Sequence, residues 1–280
     1  MDKQQEMKDA IQSVIRAMMD RVMHKILVKD PFITEDHRAR RPLYAALVPD
    51  EIFKGSHFER RFVTPFGNAW ERLAVVAAKQ GLGHGETARE IRGTINAERL
   101  RRIQEILDKL EHPEKGQGRI GPDWETELQY VLEGQSKKIL PATVVCDVYV
   151  EDRTRQPVRR YAFELKSPLP NSDITKVSKE KILKLHAMNP GQIDEAFYAL
   201  PYNPYGSREN YGWGFPARWF DMKSDPVVLI GDEFWEKIGG LGAYQAFIEA
   251  INEIGREYKD RIYREFLGIE PPEDALEVRL

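Results

Sequence analysis

Apolar side chains at Met7, Ile11, Val14, Ile15, Met18, Val22 and Ile26 recur in steps of three and four. That is the spacing of one helix face, and it predicts a helix over residues 4–28, closed by Pro31. The stretch 31–58 lacks the period. Prolines at 31, 42 and 49 and the basic cluster Arg38, Arg40 and Arg41 mark it as irregular. A second helix is expected to begin after Pro65 or Gly67 and to run through AWERLAVVAAKQ to Gly81, with GLGHGE following as a loop. Leu100, Ile103, Ile106, Leu107 and Leu110 predict a third helix over 96–111.

The pattern changes in the middle of the chain. Residues 143–150 (TVVCDVYV) are β-branched and aromatic, and 158–166 (VRRYAFELK) alternate after the polar turn EDRTRQP, which together predict a β-hairpin. Ile174, Val177, Ile182 and Leu185 predict a helix over 173–188. EAFYALPY (195–202) and PVVLIG (226–231) read as strands, Asp232–Ile238 as a short helix ending at Gly239-Gly240, and 241–267 as a long amphipathic helix. There are no internal repeats and no low-complexity linker. The expected organisation is one α/β domain over 1–280, with a helical N-terminal part to about 112, a core over 113–240 and a closing C-terminal helix.

Composition narrows the function classes. With 280 residues, 41% apolar and 31% charged, the chain can bury a substantial core and is not a disordered polyelectrolyte. No apolar run approaches the roughly 20 residues of a membrane-spanning helix. The start, MDKQQEMKDA, lacks the apolar centre of a signal peptide, so a cytoplasmic protein without membrane partners is expected. Cys146 is the single cysteine, which excludes an intrachain disulfide and a cysteine zinc site. The net charge is −3, so a nucleic-acid surface has to be local.

The candidate chemistry lies in the hairpin. Four acid-x-lysine triplets occur: Glu6/Lys8, Glu164/Lys166, Asp221/Lys223 and Glu257/Lys259. The first and last fall on helices, where i and i+2 diverge, and the third falls in a polar loop. Glu164 and Lys166 alone lie on a strand, where i and i+2 share a face. A turn centred near residue 154 or 155 pairs Asp147 with Ala162, a diagonal step of roughly 8 Å from Glu164. Val144, Cys146, Val148 and Val150 then form one apolar face, as do Tyr161, Phe163 and Leu165, leaving Asp147, Glu164 and Lys166 together on the other side. Two hard carboxylates this close call for a cation, and oxygen ligands suit Mg²⁺, which activates water and neutralises phosphate charge. A lysine there can position the attacking water or stabilise developing charge. The same three residues can also form a cross-strand ion-pair set with no catalytic role.

Asp147 followed by Glu164-Leu165-Lys166 on consecutive strands resembles the PD-(D/E)xK nuclease superfamily, with Cys146 at the position named for proline. SHFERRF (56–62), GNAWERLA (67–74), FELKSPLPN (163–171), ALPYNPYG (199–206) and VVLIGDEFWEKIGG (227–240) are similar to its TdeIII/MjaII-type restriction endonucleases. The resemblance implies a mixed central sheet with a catalytic hairpin, flanked by N- and C-terminal helices. It also implies a Mg²⁺-dependent type II restriction endonuclease that cuts double-stranded DNA at a short symmetric, GGNCC-like site as a homodimer. Asp147 and Glu164 would hold the metal, Lys166 would assist the water, and Glu71, a helical carboxylate, would complete the site. The other readings left open are a repair or mobile-element nuclease with the same core and a non-catalytic nucleic-acid-binding module.

Further candidates are cations and loop residues. Arg60 and Arg61 are placed to hold phosphates. Residues 151–190 carry nine lysines and arginines against five acids, so Lys176 and Lys179 are candidates for a stripe on the DNA backbone. Tyr202, Asn203, Arg208 and Asn210 sit in a polar, aromatic loop, where Asn and Arg can read purine edges. Each of these has an ordinary alternative as a solvated or inward-packed side chain.

Overall fold

The computed structural model describes residues 3–112, 119–272 and 274–275. In chain order the first elements are α1 (Lys3–His24), continued by a π-helical turn Lys25–Lys29, α2 (Thr34–Arg40), α3 (Pro42–Leu47), α4 (Asp50–Gly67) and α5 (Ala69–Gly81). Then come β1 (Gly83–Asn96), α6 (Ala97–Glu111), α7 (Trp124–Leu132), β2 (Ile139–Asp152) and β3 (Arg159–Leu165). The last are α8 (Ser172–Ala187), β4 (Glu195–Leu200), β5 (Val228–Ile230), α9 (Asp232–Gly239) and α10 (Ala243–Arg261). The chain divides into two compact units, one of residues 1–73 with 245–280 and one of residues 74–244. The expected start of the core at 113 lies outside the described residues.

Unit 74–244 holds a five-stranded mixed sheet in the order β1-β2-β3-β4-β5. The first three strands pair antiparallel and the last two join in parallel, with α8 crossing from β3 to β4. One side of the sheet packs Ile91, Val144, Cys146, Tyr149, Ala162 and Tyr198 into a core that α6 and α8 cover with Ile103, Leu107, Ile182 and Leu183. On the other side the Phe163 ring stacks on Phe197 at 5.3 Å and meets Phe234 of α9 edge-on at 5.8 Å. A Cβ on Gly81 would lie 1.9 Å from the Gly239 carbonyl oxygen, so glycine alone lets the ends of α5 and α9 touch backbone to backbone.

In unit 1–73 with 245–280, α1 buries Met7, Ile11, Ile15, Met18 and Val22, the face its period predicts. Its polar edge pairs with α10 through Lys8 with Glu253 at 2.6 Å and Arg16 with Glu257 at 2.5 Å. Along α4 the rings of Phe58, Phe62 and Phe66 stack at the i, i+4 spacing, with centroids 5.9 and 5.2 Å apart.

Three expectations need correction. Residues 31–58 are largely helical, because the prolines stand where helices tolerate them: Pro42 in the first turn of α3 and Pro49 at the cap of α4. Of the two expected starts of the second helix, the one after Gly67 holds, since α5 begins at Ala69, and the one after Pro65 does not, since Pro65 lies inside α4. GLGHGE leads into β1, inside the part expected to be helical, and β1 pairs with β2 from Gly83↔Asp152 to Asn96↔Ile139.

Candidate active site

The hairpin register decides what meets what. β2 and β3 pair from Asp152↔Arg159 to Val148↔Phe163, two residues away from the expected alignment. The turn is centred one residue later than expected, between residues 155 and 156, and Asp152 braces it by accepting from the Thr154 amide at 3.1 Å. Asp147 and Glu164 therefore flank the open end of the ladder directly across from each other, a closer relation than the expected diagonal. The single apolar face expected for β2 also divides. Val144 and Cys146 pack in the core that holds Tyr149 and Ala162, whereas Val148 lies across from Phe163. The change of side falls at Asp147, opposite Ala88 of β1, whose φ of 53° is rare for a residue with a side chain.

Beyond that end of the ladder, Lys166 closes the site. Its Nζ lies 2.7 Å from Glu164 Oε1, 2.9 Å from Asp147 Oδ2 and 2.9 Å from the Leu165 carbonyl oxygen. Asp147 Oδ2 also accepts from the Leu165 amide at 2.8 Å, and the Lys166 amide donates to the Ala199 carbonyl at 3.0 Å, so β4 holds the strand end in place. Glu164 is 4% exposed. Burial works against the charge on Lys166, but the carboxylates of Glu164 and Asp147 outweigh it and hold the ammonium above the ordinary lysine value. Burial also pushes the neighbouring Cys146 thiol up to about 12, so it stays protonated.

The sequence reading missed one member. Lys181 of α8 donates to both oxygens of Glu164, each at 2.9 Å. Two carboxylates thus face two ammonium groups, and Glu164 is gripped from both sides. Lys181 stood in the basic run of 151–190 but carried no mark of its own; only the packing of α8 on β3 sets it apart.

The other candidates divide by what already occupies them. Lys179 is the clearest correction: it is fully buried, paired with Glu127 and bonded to the Trp219 carbonyl, so it is not on a DNA-facing stripe. Burial pushes Glu127 up and Lys179 down. Lys176 pairs with Glu111 and Arg159 with Glu195, acids outside the basic run, and Lys184 pairs with Glu180 inside it. Arg208 is held by the Met222 and Asp225 carbonyls at 3.0 and 2.6 Å and by Glu233. Asn203 accepts from the Tyr205 amide at 2.9 Å, while Tyr202 and Asn210 are exposed. In the helical unit Arg61 is engaged by Asp30 and the His57 carbonyl, Arg60 is exposed, and Glu71 lies in the first turn of α5. Among the described residues no helix is long and apolar enough to cross a membrane.

A mixed sheet whose hairpin end gathers Asp, Glu and Lys beneath a crossing helix is the restriction-endonuclease-like fold. The chain belongs to the HinfI family of type II restriction endonucleases, whose family model matches residues 7–255. It is 26% identical to the type II restriction enzyme HgiCII of Herpetosiphon aurantiacus over 231 residues, covering 81% of this chain and 82% of that one. It is likewise 26% identical to HgiBI of the same organism over 222 residues, 77% of each chain. The match thus lies in restriction enzymes, as the motif resemblance implied, under the name HinfI in place of TdeIII/MjaII. It is an enzyme of the site-specific deoxyribonuclease class. Enzymes of this class generally use a divalent metal.

Proposed function

We propose that the hairpin end formed by Asp147, Glu164 and Lys166 is the centre at which this enzyme hydrolyses DNA phosphodiester bonds with Mg²⁺. The observation that carries the reading is the convergence of Asp147 Oδ2, Glu164 Oε1 and the Leu165 carbonyl oxygen on one point, where the Lys166 ammonium stands. Two carboxylates and a carbonyl that already focus on a cationic group are the hard donor set that Mg²⁺ prefers. Bound by these three groups, the ion would lower the pKa of a coordinated water and neutralise charge on the phosphate.

The chain's own residues supply the rest. Lys166 carries a proton in this arrangement, so it acts as a donor that orients the attacking water or holds a non-bridging phosphate oxygen. Lys181 fixes the carboxylate plane of Glu164 through two equal hydrogen bonds. Cys146 packs in the core and its thiol donates to the Arg89 carbonyl at 3.5 Å. A role for Glu71 rests on the resemblance alone.

The substrate is a short symmetric duplex site, and a homodimer supplies one centre per strand. The GGNCC-like sequence comes from the resemblance and from no residue here. Arg60, Tyr202 and Asn210 are exposed and, with Asn203, remain DNA contacts from the sequence reading, whereas Arg61, Lys176 and Arg208 are held by acids or carbonyls. A digest of unmethylated phage DNA with Mg²⁺ tests the reading. Discrete bands with 5′-phosphate ends are expected; a smear would indicate a non-specific nuclease, and intact DNA would remove the catalytic assignment.

A further inference from the structure

The helical unit contains a concavity of about 450 Å³ between the chain at Lys29–Arg41 and one side of α4. Its volume is that of a small-ligand site, and its lining is strongly basic. Lys29, Arg40, Arg41, Arg60 and Arg61 stand against two acids, Asp30 and Asp36. Asp30 is already neutralised, because Arg61 binds it through two guanidinium nitrogens. Asp36 lies 3.9 Å from Arg40, whose side chain is 82% exposed. Lys29, Arg41 and Arg60 are exposed as well, so the cationic excess faces the concavity uncompensated.

A second observation comes from His37, which also lines this space. Its side chain is 13% exposed, and neither ring nitrogen has a hydrogen-bond partner. Its Nδ1 lies 3.9 Å from Asp50 Oδ1, which is also without a partner, while Asp50 Oδ2 is occupied by Arg38 at 2.9 and 2.5 Å. Asp50 is thus placed on the Nδ1 side of the imidazole. Phe53 holds the ring at 4.3 Å and Phe32 at 5.5 Å. Both ring nitrogens are closed to solvent, so His37 packs the wall of the concavity and the exposed cations alone face its interior.

We infer that this concavity is a binding site for the phosphodiester backbone of duplex DNA. Lys29, Arg40, Arg41 and Arg60 provide the charge. Arg61, expected from the sequence to hold phosphate itself, is instead the brace that pins Asp30 and the floor of the site. The cations come from three separate stretches of chain, more than one inorganic phosphate can engage, which favours a run of backbone phosphates. The inference rests on the restriction-enzyme reading for the presence of DNA but uses no residue of the proposed catalytic centre.

The test is fluorescence anisotropy on a labelled random-sequence duplex, with divalent cations chelated, at several salt concentrations. Replacing Arg40 and Arg60 together by alanine is expected to weaken binding at least tenfold and to reduce the slope of log K against log salt by about 0.9 for each phosphate no longer neutralised. The control Arg256→Ala, an exposed arginine on α10 outside the lining, keeps the wild-type slope. An unchanged slope in the arginine double variant overturns the inference. Pyrophosphate serves as the free-anion probe. If it raises the melting temperature of the wild type but the duplex slope ignores both arginines, the site takes free phosphates and the backbone assignment falls. Cleavage of phage DNA by the wild-type chain is scored separately, so failure of the nuclease reading is distinguishable from failure of this site.

Discussion

Lys181 Nζ lies 2.9 Å from each carboxylate oxygen of Glu164, so a helix residue seventeen positions downstream sets the plane of a strand carboxylate. Glu164 is 4% exposed, and the orientation of a buried carboxylate is decided by the donors around it. Lys181→Met is expected to lower the cleavage rate and to raise the Mg²⁺ concentration needed for half-maximal rate, by about 10–100-fold for such an outer partner. Lys181→Arg should recover much of both. The check is a Mg²⁺ titration of single-turnover cleavage; an unaltered titration for Lys181→Met would reduce the contact to surface pairing.

Lys166 stands where three oxygens converge, so removing it affects rate and metal binding in opposite directions. Lys166→Ala should cost at least about a hundredfold in rate. Cation affinity should be equal or stronger, because the competing ammonium is gone. Isothermal titration with Mn²⁺ reads the second quantity without relying on turnover. The paired control, Lys259→Ala in the helical triplet, should stay near wild type. Equal rate losses at both positions would show that the wrong triplet was chosen.

The Lys179–Glu127 pair is structural. Both groups are removed from water, and cutting one partner leaves the other's charge buried without a counter-ion. Lys179→Met is expected to destabilise the fold by about 3–5 kcal/mol, whereas exchanging both partners for apolar residues of similar volume should cost far less. Urea unfolding of the single and double variants measures this. A single variant as stable as the wild type would contradict the burial.

Stability should also fall in mild acid because of His186. Burial depresses its imidazole pKa, despite the opposing pull of a backbone group of Ala196, and the ring lies edge-on to Trp124 at 5.7 Å. The folded state therefore resists a proton that the unfolded chain accepts. The contribution is present above about pH 6.5, the ordinary histidine value, and is lost as pH falls below it. Urea midpoints across that range should drop for the wild type and drop less for His186→Phe. Parallel curves would assign the acid sensitivity to other groups.

Most of the elements, and the meeting of Asp147, Glu164 and Lys166, were legible from local pattern. α1, α6, β3, β4 and α9 follow their apolar periods closely, whereas α8 is helical as expected but exposes Ile174 and Val177 of its predicted face and buries Thr175, Ser178 and Lys179 instead. Asp147, Glu164 and Lys166 could be singled out from the hairpin pattern, although the parity expected for it breaks at Asp147 and Lys166 lies just past the end of β3. What escaped is what depends on partners distant in sequence. β1 is polar along much of its length and is held by its ladder to β2, not by intrinsic propensity. Prolines 42 and 49 look like breakers until their positions at helix starts are known. Lys179 and Lys181 are alike in sequence, two lysines two residues apart on one helix. One lies in the core against Glu127 and the other against Glu164, and nothing local separates them.

The most direct test of the central claim is Asp147→Asn, assayed for both binding and cleavage of a cognate duplex with Mg²⁺. The substitution keeps the side chain's size and its hydrogen bond from the Leu165 amide, but it removes one of the two charges proposed to hold the metal. Cleavage should fall to background while duplex binding is preserved or tightened, because a negative charge beside the phosphate is gone. Full cleavage by Asp147→Asn would contradict the assignment of this hairpin as the catalytic centre.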